Sequence, residues 1–237
     1  MPPGTPTATA FLGVRTVGPL FAPGSTTHTC TASVVSSPSR NLLITAAHCL
    51  TGSAAGVTFA PDFHDGITPF GTWTVTKAYV APAWSTGVNP ARDVAFLVVA
   101  PKVINGHTTQ IQALTGGNTL AKLPKVGTMI TVPAYPIGTS ANPITCSAPI
   151  YEQNGIPAFN CNPYVAGTSG APWIVKTAQG SSVVGVIGGP SQGGCYPWTS
   201  YSSAFGSATF KTYTLATAGA PPSVLPSPGS DGCTTGL

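Results

Sequence analysis

Short apolar runs recur along the chain, and each is about as long as a β-strand. They read TASVVSS, NLLITAAHC, WTVTKAYVA, DVAFLVVA, GTMITVPAY and SVVGVIGG, and clusters of Gly, Pro, Asn and Ser separate them. Runs of this length between turn-forming residues are typical of antiparallel strands. The pattern therefore predicts an all-β fold.

One segment near the C-terminus departs from this pattern. Residues 208–218, ATFKTYTLATA, have a helical period, and Gly219 with the proline pair after it would end a helix. We expect one short helix there. The irregular tail that follows contains Cys233, which could tie it back to the body of the protein.

A polar, glycine-rich segment at residues 105–125 separates two groups of strands. We place a domain boundary in it, between residues 1–115 and residues 116–237. A chain of 237 residues is long enough for two small β domains, each with its own core.

The chain contains few charges for its length. Only 6% of its residues are charged, where about a quarter is usual, and 42% are hydrophobic, so the chain should fold rather than remain disordered. Nine Lys and Arg residues against five Asp and Glu give a net charge of +4, and the basic residues form no cluster, which argues against a nucleic-acid partner. The longest apolar runs are far shorter than the roughly 20 residues that span a bilayer. We expect a soluble protein with no membrane partner.

Six cysteines are present, and no two are spaced as the C-x-x-C pair of a zinc site or a redox dithiol. The even number predicts three disulfides and no metal site. Disulfides persist outside the reducing cytosol, so we expect a secreted protein. The chain begins without the charged and apolar regions of a signal peptide, which fits a form from which that peptide has been removed.

Three segments carry residues that can cooperate in catalysis: TAAHC with His48, RDVAFLVV with Asp93, and GTSGAPW with Ser169. A neutral serine is a poor nucleophile unless an imidazole accepts its proton as it attacks a carbonyl carbon. His48 is the candidate base. A buried carboxylate on the far ring nitrogen would fix the tautomer and stabilise the cation. Asp93 suits this role because it leads directly into an apolar strand.

The glycines beside Ser169 predict an oxyanion site. A tight turn is needed to aim two backbone N–H groups at the point where the negative oxygen of a tetrahedral intermediate forms. Gly167 and Ser169 are the expected donors.

The segments TAAHC, DVAFL and GTSGAP, in this order, resemble the chymotrypsin (trypsin-like) family of serine proteases, particularly its secreted bacterial branch related to glutamyl endopeptidases. The likeness extends from VGPLF to VVGVIGGPSQGGC. It implies two six-stranded antiparallel β-barrels, with His48 and Asp93 on the first, Ser169 on the second, and the active site in the cleft between them. It also implies a disulfide between Cys30 and Cys49, which would close a loop of about 20 residues and contribute about 3 kcal/mol.

The other four cysteines allow three connectivities. We favour Cys146 with Cys161, because the Asn-Gly pair between them is a hairpin signal that would bring two strands together. Cys195 would then pair with Cys233. A bond between Cys161 and Cys195, which would brace the specificity pocket as the family often does, is the rival assignment.

Two segments depart from the family pattern. The family usually has an acidic residue before the nucleophile, and this chain has Thr168, so other contacts must hold the oxyanion turn. A serine or histidine often stands in the strand segment that binds the substrate backbone beside the pocket, and this chain has Ile187 and Gly188 there. The change puts in doubt a hydroxyl contact to Asp93. It also removes the main support for glutamate specificity.

The expected specificity pocket lacks charge. Its stretches correspond to residues 161–170 and 184–196, which contain no Asp, Glu, Lys, Arg or His. A charged side chain buried there would have no partner, at a cost of several kcal/mol. We therefore expect an uncharged residue at P1, the substrate position before the cleaved bond. The expected lining residues are Pro163, Tyr164, Gly188 and Gly189.

These features predict a secreted serine endopeptidase that cleaves peptide bonds through an acyl-enzyme and needs no cofactor. Its partner would be a protein or peptide substrate, and we expect a monomer. The alternatives are a protease-like binding protein without turnover, since Thr168 and Ile187 depart from the pattern, and an esterase with the same triad. The remaining histidines lie among polar, turn-like residues, and we expect ordinary surface positions for His28, His64 and His107.

Overall fold

Short β-strands make up most of the regular structure. The computed structural model describes residues 1–138, 142–178 and 180–233. The strands in these ranges are β1 (Thr9–Ala10), β2 (Val17–Phe21), β3 (His28–Val35), β4 (Leu42–Thr45), β5 (Thr58–Phe59), β6 (Trp73–Val80), β7 (Ala95–Val99), β8 (Lys102–Ile104), β9 (His107–Thr109), β10 (Thr119–Leu120), β11 (Met129–Thr131), β12 (Ile144–Thr145), β13 (Ser147–Pro149), β14 (Tyr151–Gln153), β15 (Ile156–Asn160), β16 (Pro172–Thr177), β17 (Gly180–Val186) and β18 (Thr199–Tyr201). The helices are α1 (Pro82–Gly87), α2 (Ile111–Thr115) and α3 (Ser207–Thr217), and 3₁₀ turns lie at Ala47–Cys49, Pro90–Arg92 and Pro190–Gly193. The predicted all-β fold is confirmed.

The first long strands form a closed six-stranded barrel, in the order β2-β3-β4-β7-β6-β5. All its pairs are antiparallel, with Thr45 of β4 opposite Ala95 of β7. Apolar side chains fill the interior, and Leu43, Phe59 and Trp73 are completely buried. The barrel matches the one that the family resemblance implied for the first half of the chain.

Strand β4 is apolar at successive positions because it faces two cores. Leu43 packs in the barrel interior, while Leu42 and Ile44 pack with Val183 and Val186 from the second half of the chain. Neighbouring side chains of a strand point to opposite faces, so a strand between two cores has a continuous apolar run. This burial fixes the position of the segment after β4, which carries the candidate base.

The later strands form two linked sheets instead of one closed barrel. One sheet has the order β10-β17-β16-β11-β13, with β10 parallel to β17, and the other has the order β14-β15-β18. Only Ile150 separates β13 from β14, and Pro149, which has no N–H to donate, stands at this break. The Gly188 N–H donates to the Tyr201 carbonyl at 3.0 Å and so connects the end of β17 to β18. Within the described ranges, the second half therefore shows two hydrogen-bonded sheets where we expected one six-stranded barrel.

The two ends of the chain cross between the halves. Near the N-terminus, β1 pairs with β12, with Thr9 opposite Thr145. After α3 the tail packs on the first barrel, where Leu225 is only 5% exposed and joins the barrel core. Each half is thus covered in part by a segment from the far end of the sequence.

Helix α3 confirms the predicted C-terminal helix. Its Tyr213 packs edge-on against Phe96 with ring centroids 5.6 Å apart, and the Tyr213 hydroxyl donates to the Ser36 carbonyl at 2.8 Å. Helices α1 and α2 have only six and five residues, too few to show a helical period in the sequence. No helix in the described ranges has the length and apolar character needed to cross a bilayer.

Three disulfides join Cys30 to Cys49, Cys146 to Cys161, and Cys195 to Cys233. The second bond spans the hairpin of β14 and β15, whose turn contains the Asn-Gly signal. These are the favoured pairings, and the rival bond between Cys161 and Cys195 is wrong. No free cysteine remains in the described part of the chain.

His28 is completely buried, so the expected surface position is wrong. Its ring lies 5.6 Å from that of Phe21, 6.2 Å from Phe63 and 6.1 Å from Tyr135, measured between centroids. Neither ring nitrogen has a hydrogen-bond partner among the residues that the structure describes. Burial lowers the pKa of His28 to about 4. His28 therefore acts as a neutral aromatic core residue, which its polar sequence neighbours concealed.

Candidate active site

His48 lies immediately after the buried strand β4, in the 3₁₀ turn Ala47–Cys49. The turn is held at its end by the bond from Cys49 to Cys30 on β3. The two sulfur atoms lie close to the imidazole, but both are used in the disulfide, so they offer no thiolate to a metal. The anchoring leaves the His48 side chain 6% exposed at the edge of the barrel.

Asp93 contacts His48 at two atoms. Asp93 Oδ2 lies 2.7 Å from His48 Nδ1, and Asp93 Oδ1 accepts the His48 backbone N–H at 2.8 Å. The Asp93 side chain is completely buried. A carboxylate on Nδ1 favours the tautomer in which Nδ1 carries the proton and Nε2 can accept one.

Further backbone contacts fix the carboxylate. The Gly189 N–H donates to Asp93 Oδ2 at 2.7 Å, in a region where the sequence suggested the loss of a hydroxyl partner. The Asp93 N–H donates to Ser203 Oγ at 3.1 Å, and the Ser203 hydroxyl donates to the Pro90 carbonyl at 2.7 Å. The buried carboxylate needs a donor such as the Gly189 N–H, because an unsatisfied carboxylate in an apolar interior is costly. A backbone amide therefore stabilises Asp93 without a serine from the neighbouring strand.

Ser169 lies in a tight turn that only glycine permits at two positions. Gly167 has φ +90°, and a Cβ there would lie 2.2 Å from the Ile137 nitrogen. Gly170 has φ +79°, and a Cβ there would lie 2.1 Å from Thr45 Oγ1. Both the left-handed backbone and the close neighbours exclude a side chain. The GTSG pattern thus has a steric cause on both sides of the serine.

Thr31 on β3 clamps the serine turn to the first barrel. Its N–H donates to the Ser169 carbonyl at 2.8 Å, and its hydroxyl donates to the Gly167 carbonyl at 3.1 Å. Thr168, which is 3% exposed, donates its hydroxyl to the Val165 carbonyl at 2.7 Å and so closes the turn from within. These are the contacts that replace the acidic residue usual before the nucleophile.

The turn leaves two N–H groups available. Within the described ranges, the N–H groups of Gly167 and Ser169 donate to no protein acceptor. The same ranges contain no hydrogen bond from the Ser169 hydroxyl to His48. The turn nevertheless lies close to the segment that precedes His48. A Cβ built on Gly170 would be 3.0 Å from the nitrogen of Ala46, which is two residues before His48. In the absence of substrate, a long hydrogen bond between nucleophile and base is common in enzymes.

A cavity of about 370 Å³ opens beside Ser169. Its walls come from the serine loop, the segment after β17, strand β18 and the C-terminal tail. The lining residues are Tyr164, Val165, Ala166, Thr168, Ser169, Ile187, Ser191, Gln192, Gly193, Gly194, Tyr196, Thr199, Ser200, Asp231 and Cys233.

Of the four expected lining residues, Tyr164 does line the cavity, although its hydroxyl is turned into the second core and donates to the Val132 carbonyl. Gly188 instead faces the acid, since a Cβ there would lie 3.0 Å from Asp93 Oδ2. Gly189 lines a different cavity, of about 220 Å³. Pro163 follows Asn162, whose N–H is bound by the N-terminal segment at the Pro6 carbonyl, and it is absent from the described lining. Tyr164 thus lines the cavity beside Ser169, and the assignment of Pro163, Gly188 and Gly189 to the P1 pocket stays a prediction.

The cavity wall contains an acid, Asp231, that the sequence did not place there. Asp231 lies on the tail, outside both stretches that were searched for charge, and reaches the cavity because Cys233 is bonded to Cys195. Asp231 is exposed, and its Oδ1 accepts the Cys233 N–H at 2.9 Å. The favoured disulfide itself was the signal that could have located this carboxylate.

Thr31 holds the serine turn on the same barrel that carries the His48–Asp93 pair, an arrangement that fits a serine peptidase. The sequence matches the family model Trypsin over residues 13–197. The chain therefore belongs to the trypsin family and is a serine endopeptidase.

Solved structures with the same fold include bacterial and other proteases. Protease Anisep from Arthrobacter nicotinovorans has 24% identity and a TM-score of 0.75, covering 90% of this chain and 100% of that one. A thermostable serine protease, AL20, from an extremophilic microorganism has 22% identity and a TM-score of 0.72, covering 86% and 97%. A Glu endopeptidase has 17% identity and a TM-score of 0.68, covering 91% and 98%. No curated protein matches the chain.

Proposed function

We propose that this endopeptidase is secreted and cleaves peptide bonds through an acyl-enzyme formed on Ser169. The observation that carries the proposal is the 2.7 Å contact between His48 Nδ1 and the buried Asp93 carboxylate. This contact leaves Nε2 as the proton acceptor, on the side of the ring away from the acid. The serine turn that Thr31 clamps to the same barrel supplies the hydroxyl.

The first half of the reaction transfers the acyl group to the enzyme. Ser169 Oγ attacks the carbonyl carbon, and its proton passes to His48 Nε2. The N–H groups of Gly167 and Ser169 bind the negative oxygen of the tetrahedral intermediate; losing one such donor typically costs about 2.7 to 4 kcal/mol of transition-state stabilisation. The intermediate then collapses as the C–N bond breaks and His48 gives its proton to the leaving amine.

The second half returns the enzyme to its starting state. A water molecule attacks the ester carbonyl, His48 accepts its proton, and the same two N–H groups bind the new oxyanion. The bond to Ser169 Oγ breaks, and the serine recovers its proton from His48. Asp93 stays ionised throughout and stabilises the imidazolium that forms in each half.

An uncharged P1 side chain suits the cavity. Val165, Ala166, Ile187 and Gly193 offer apolar or bare backbone surface. The lining within the described residues contains one charged group, Asp231, which is exposed and already accepts a hydrogen bond. A basic or acidic P1 group would therefore lose water without a buried partner.

Secretion is supported by the three disulfides, which need an oxidising compartment to persist. The protein would act there as a monomer on peptide or protein substrates. The match to the trypsin family supports this substrate class.

Reaction with a serine-directed organophosphonate tests the proposed function. We expect stoichiometric labelling of Ser169, which His48→Ala abolishes because the serine then lacks its base. Ser169→Ala should lower kcat by about 10⁶-fold while the protein remains folded. A folded protein that binds peptides but is not labelled would instead be the binding protein without turnover. Labelling with turnover of esters but not amides would identify an esterase.

A further inference from the structure

The C-terminal strap, residues 223–233, runs from the first barrel to the second half of the protein. At its start the Ser223 N–H donates to the Ala78 carbonyl at 3.0 Å, and the Leu225 carbonyl accepts the Gly52 N–H at 3.0 Å. Farther along, the Gly229 carbonyl accepts the Gln192 side-chain amide at 3.0 Å. The disulfide to Cys195 fixes its far end. The strap is therefore held on both halves and crosses the space between them.

The crossing point borders the active site. Asp231 and Cys233 line the same cavity as Ser169. Asp231 also lines the neighbouring 220 Å³ cavity, whose walls come from three parts of the chain: Trp84, Val88 and Pro90 on the first barrel, Gly189, Ser191 and Gln192 after β17, and Pro228 and Ser230 of the strap. The strap therefore forms a wall that both cavities share.

We assign this wall to the acyl part of the substrate, which precedes the cleaved bond. The nucleophile forms its bond with the carbonyl carbon of P1, so the P1 side chain belongs to the acyl part of the substrate, which precedes the cleaved bond. We take the segment Ile187–Gly194, which borders the P1 cavity, to lie beside the residues that come before P1. The strap is bound to this segment at Gln192 and Cys195.

The same segment has few N–H groups left for a substrate strand. The Gly188 N–H donates to Tyr201, the Gly189 N–H to Asp93, and the Gln192 N–H to the Gly189 carbonyl. Pro190 has no N–H. An extended peptide adds to a strand edge through alternating backbone donors and acceptors, and here most of the donors are already used.

We propose that the C-terminal strap is a specificity element that confines substrate recognition before the cleaved bond to P1 and P2. It does so by lying beside Gly189–Gln192, where it would keep P3 and P4 from binding along this segment. The proposal rests on the proposed function, because it assigns a substrate side to the Ser169 cavity. The P3 and P4 residues would pass outside the strap and add no binding energy.

The test is the ratio of kcat/KM for a tetrapeptide amide to that for a dipeptide amide with the same P1 and P2 residues. A ratio within each variant cancels changes in the catalytic groups themselves. In the native chain we expect a ratio within about 3-fold of one. In the double variant Cys195→Ser/Cys233→Ser, which frees the strap without leaving a thiol, the ratio should rise at least 10-fold. Equal ratios in the two proteins, or a native ratio well above 10, would overturn the proposal.

A milder variant covers the case in which the double variant does not fold. Gln192→Ala removes the strap contact and keeps the disulfide, so the ratio should rise 2- to 5-fold. The matched control, Gln153→Ala on the exposed strand β14, should leave it unchanged. An unchanged ratio in Gln192→Ala, when the double variant is unfolded, counts against the strap.

A binding measurement separates this proposal from the proposed function. If no substrate is hydrolysed, the proposed function fails. The strap is then tested by the ratio of the Kd values for the tetrapeptide and the dipeptide. This ratio is measured in the native chain and in the double variant. A rise in relative tetrapeptide affinity on freeing the strap supports the strap as a recognition wall. An unchanged Kd ratio, or no binding of either peptide, rejects it.

Discussion

Asp93 holds His48 at both its ring and its backbone: Oδ2 meets Nδ1 at 2.7 Å, and Oδ1 accepts the backbone N–H at 2.8 Å. Two contacts from one buried carboxylate fix both the position of the residue and the orientation of its ring. The Gly189 N–H, at 2.7 Å from Oδ2, keeps the carboxylate from turning away. The geometry of the candidate base therefore depends on Asp93. This role accounts for the burial of a charged side chain in a chain that has few charged residues.

Replacing this acid should disable the base without unfolding the protein. Asp93→Asn keeps the shape but can stabilise the wrong imidazole tautomer, and in comparable triads it lowers kcat about 10⁴-fold. The measurement is kcat on a chromogenic peptide amide, with circular dichroism as the folding check. Asp65→Asn, on the exposed turn hydrogen-bonded to Asn142, is the matched control and should retain full activity. A loss of less than 10-fold in folded Asp93→Asn would contradict the assigned role.

The glycine after the nucleophile should tolerate no side chain. Gly170→Ala places a Cβ 2.1 Å from Thr45 Oγ1 and 2.3 Å from the Thr31 carbonyl, so either the turn or β4 must move. We expect the free energy of unfolding to fall by about 3 kcal/mol or more. Gly155→Ala is the control, since it also has a positive φ but has open space around its Cβ. It should cost only about 1 to 2 kcal/mol. Equal losses in urea unfolding of the two variants would contradict the close contact.

Buried His28 should make the fold sensitive to mild acid. Its pKa is about 4 in the folded protein and 6.5 in the unfolded chain, so the unfolded chain binds more protons between these values. Stability from the neutral ring is fully present above pH 6.5 and falls as the pH drops towards 4. The loss should be on the order of 3 kcal/mol. His28→Phe should remove this component of the urea-unfolding profile between pH 7 and 4. Parallel profiles for the two proteins would show that His28 does not titrate in this way.

Substrate preference should follow a cavity wall whose described lining has one charged group, the exposed Asp231. Chromogenic peptides that differ only at P1 should be cleaved at least 10-fold faster, in kcat/KM, with Ala, Leu or Phe than with Arg, Lys, Glu or Asp. The physical reason is the desolvation of a charge that finds no buried partner. A preference for Arg or Lys that Asp231→Asn removes would instead show that the tail carboxylate sets P1 selection.

Local patterns in the sequence predict much of the fold. The apolar runs of β4 and β7, the helical period of α3 and the Asn-Gly turn between β14 and β15 each depend on residues close together in the chain. His48 and Ser169 could also be proposed from the sequence, because the segments that point to them, TAAHC and GTSG, are only a few contiguous residues long. Helices α1 and α2 were not predictable, since five or six residues do not complete two turns.

Long-range contacts account for what the sequence did not predict. Asp231 reaches the cavity through a disulfide that spans 38 residues, and its own neighbours give no sign of a pocket. His28 is flanked by threonines, yet its face of β3 meets an aromatic cluster that includes Tyr135, more than a hundred residues away. Gly188 and Gly189 were assigned to the pocket, but the partner that determines their orientation is Asp93, on the other half of the molecule.

A crystal structure of the protein after reaction with a peptidyl phosphonate would show whether Ser169, His48 and the N–H groups of the serine turn act on the same carbonyl group. We expect a covalent bond from Ser169 Oγ to phosphorus, with a phosphonyl oxygen about 3 Å from the N–H groups of Gly167 and Ser169. His48 Nε2 should lie within hydrogen-bond distance of the adduct while Nδ1 remains on Asp93. An unmodified Ser169, or an adduct on which His48 and the two N–H groups do not converge, would show that these residues do not form the catalytic site.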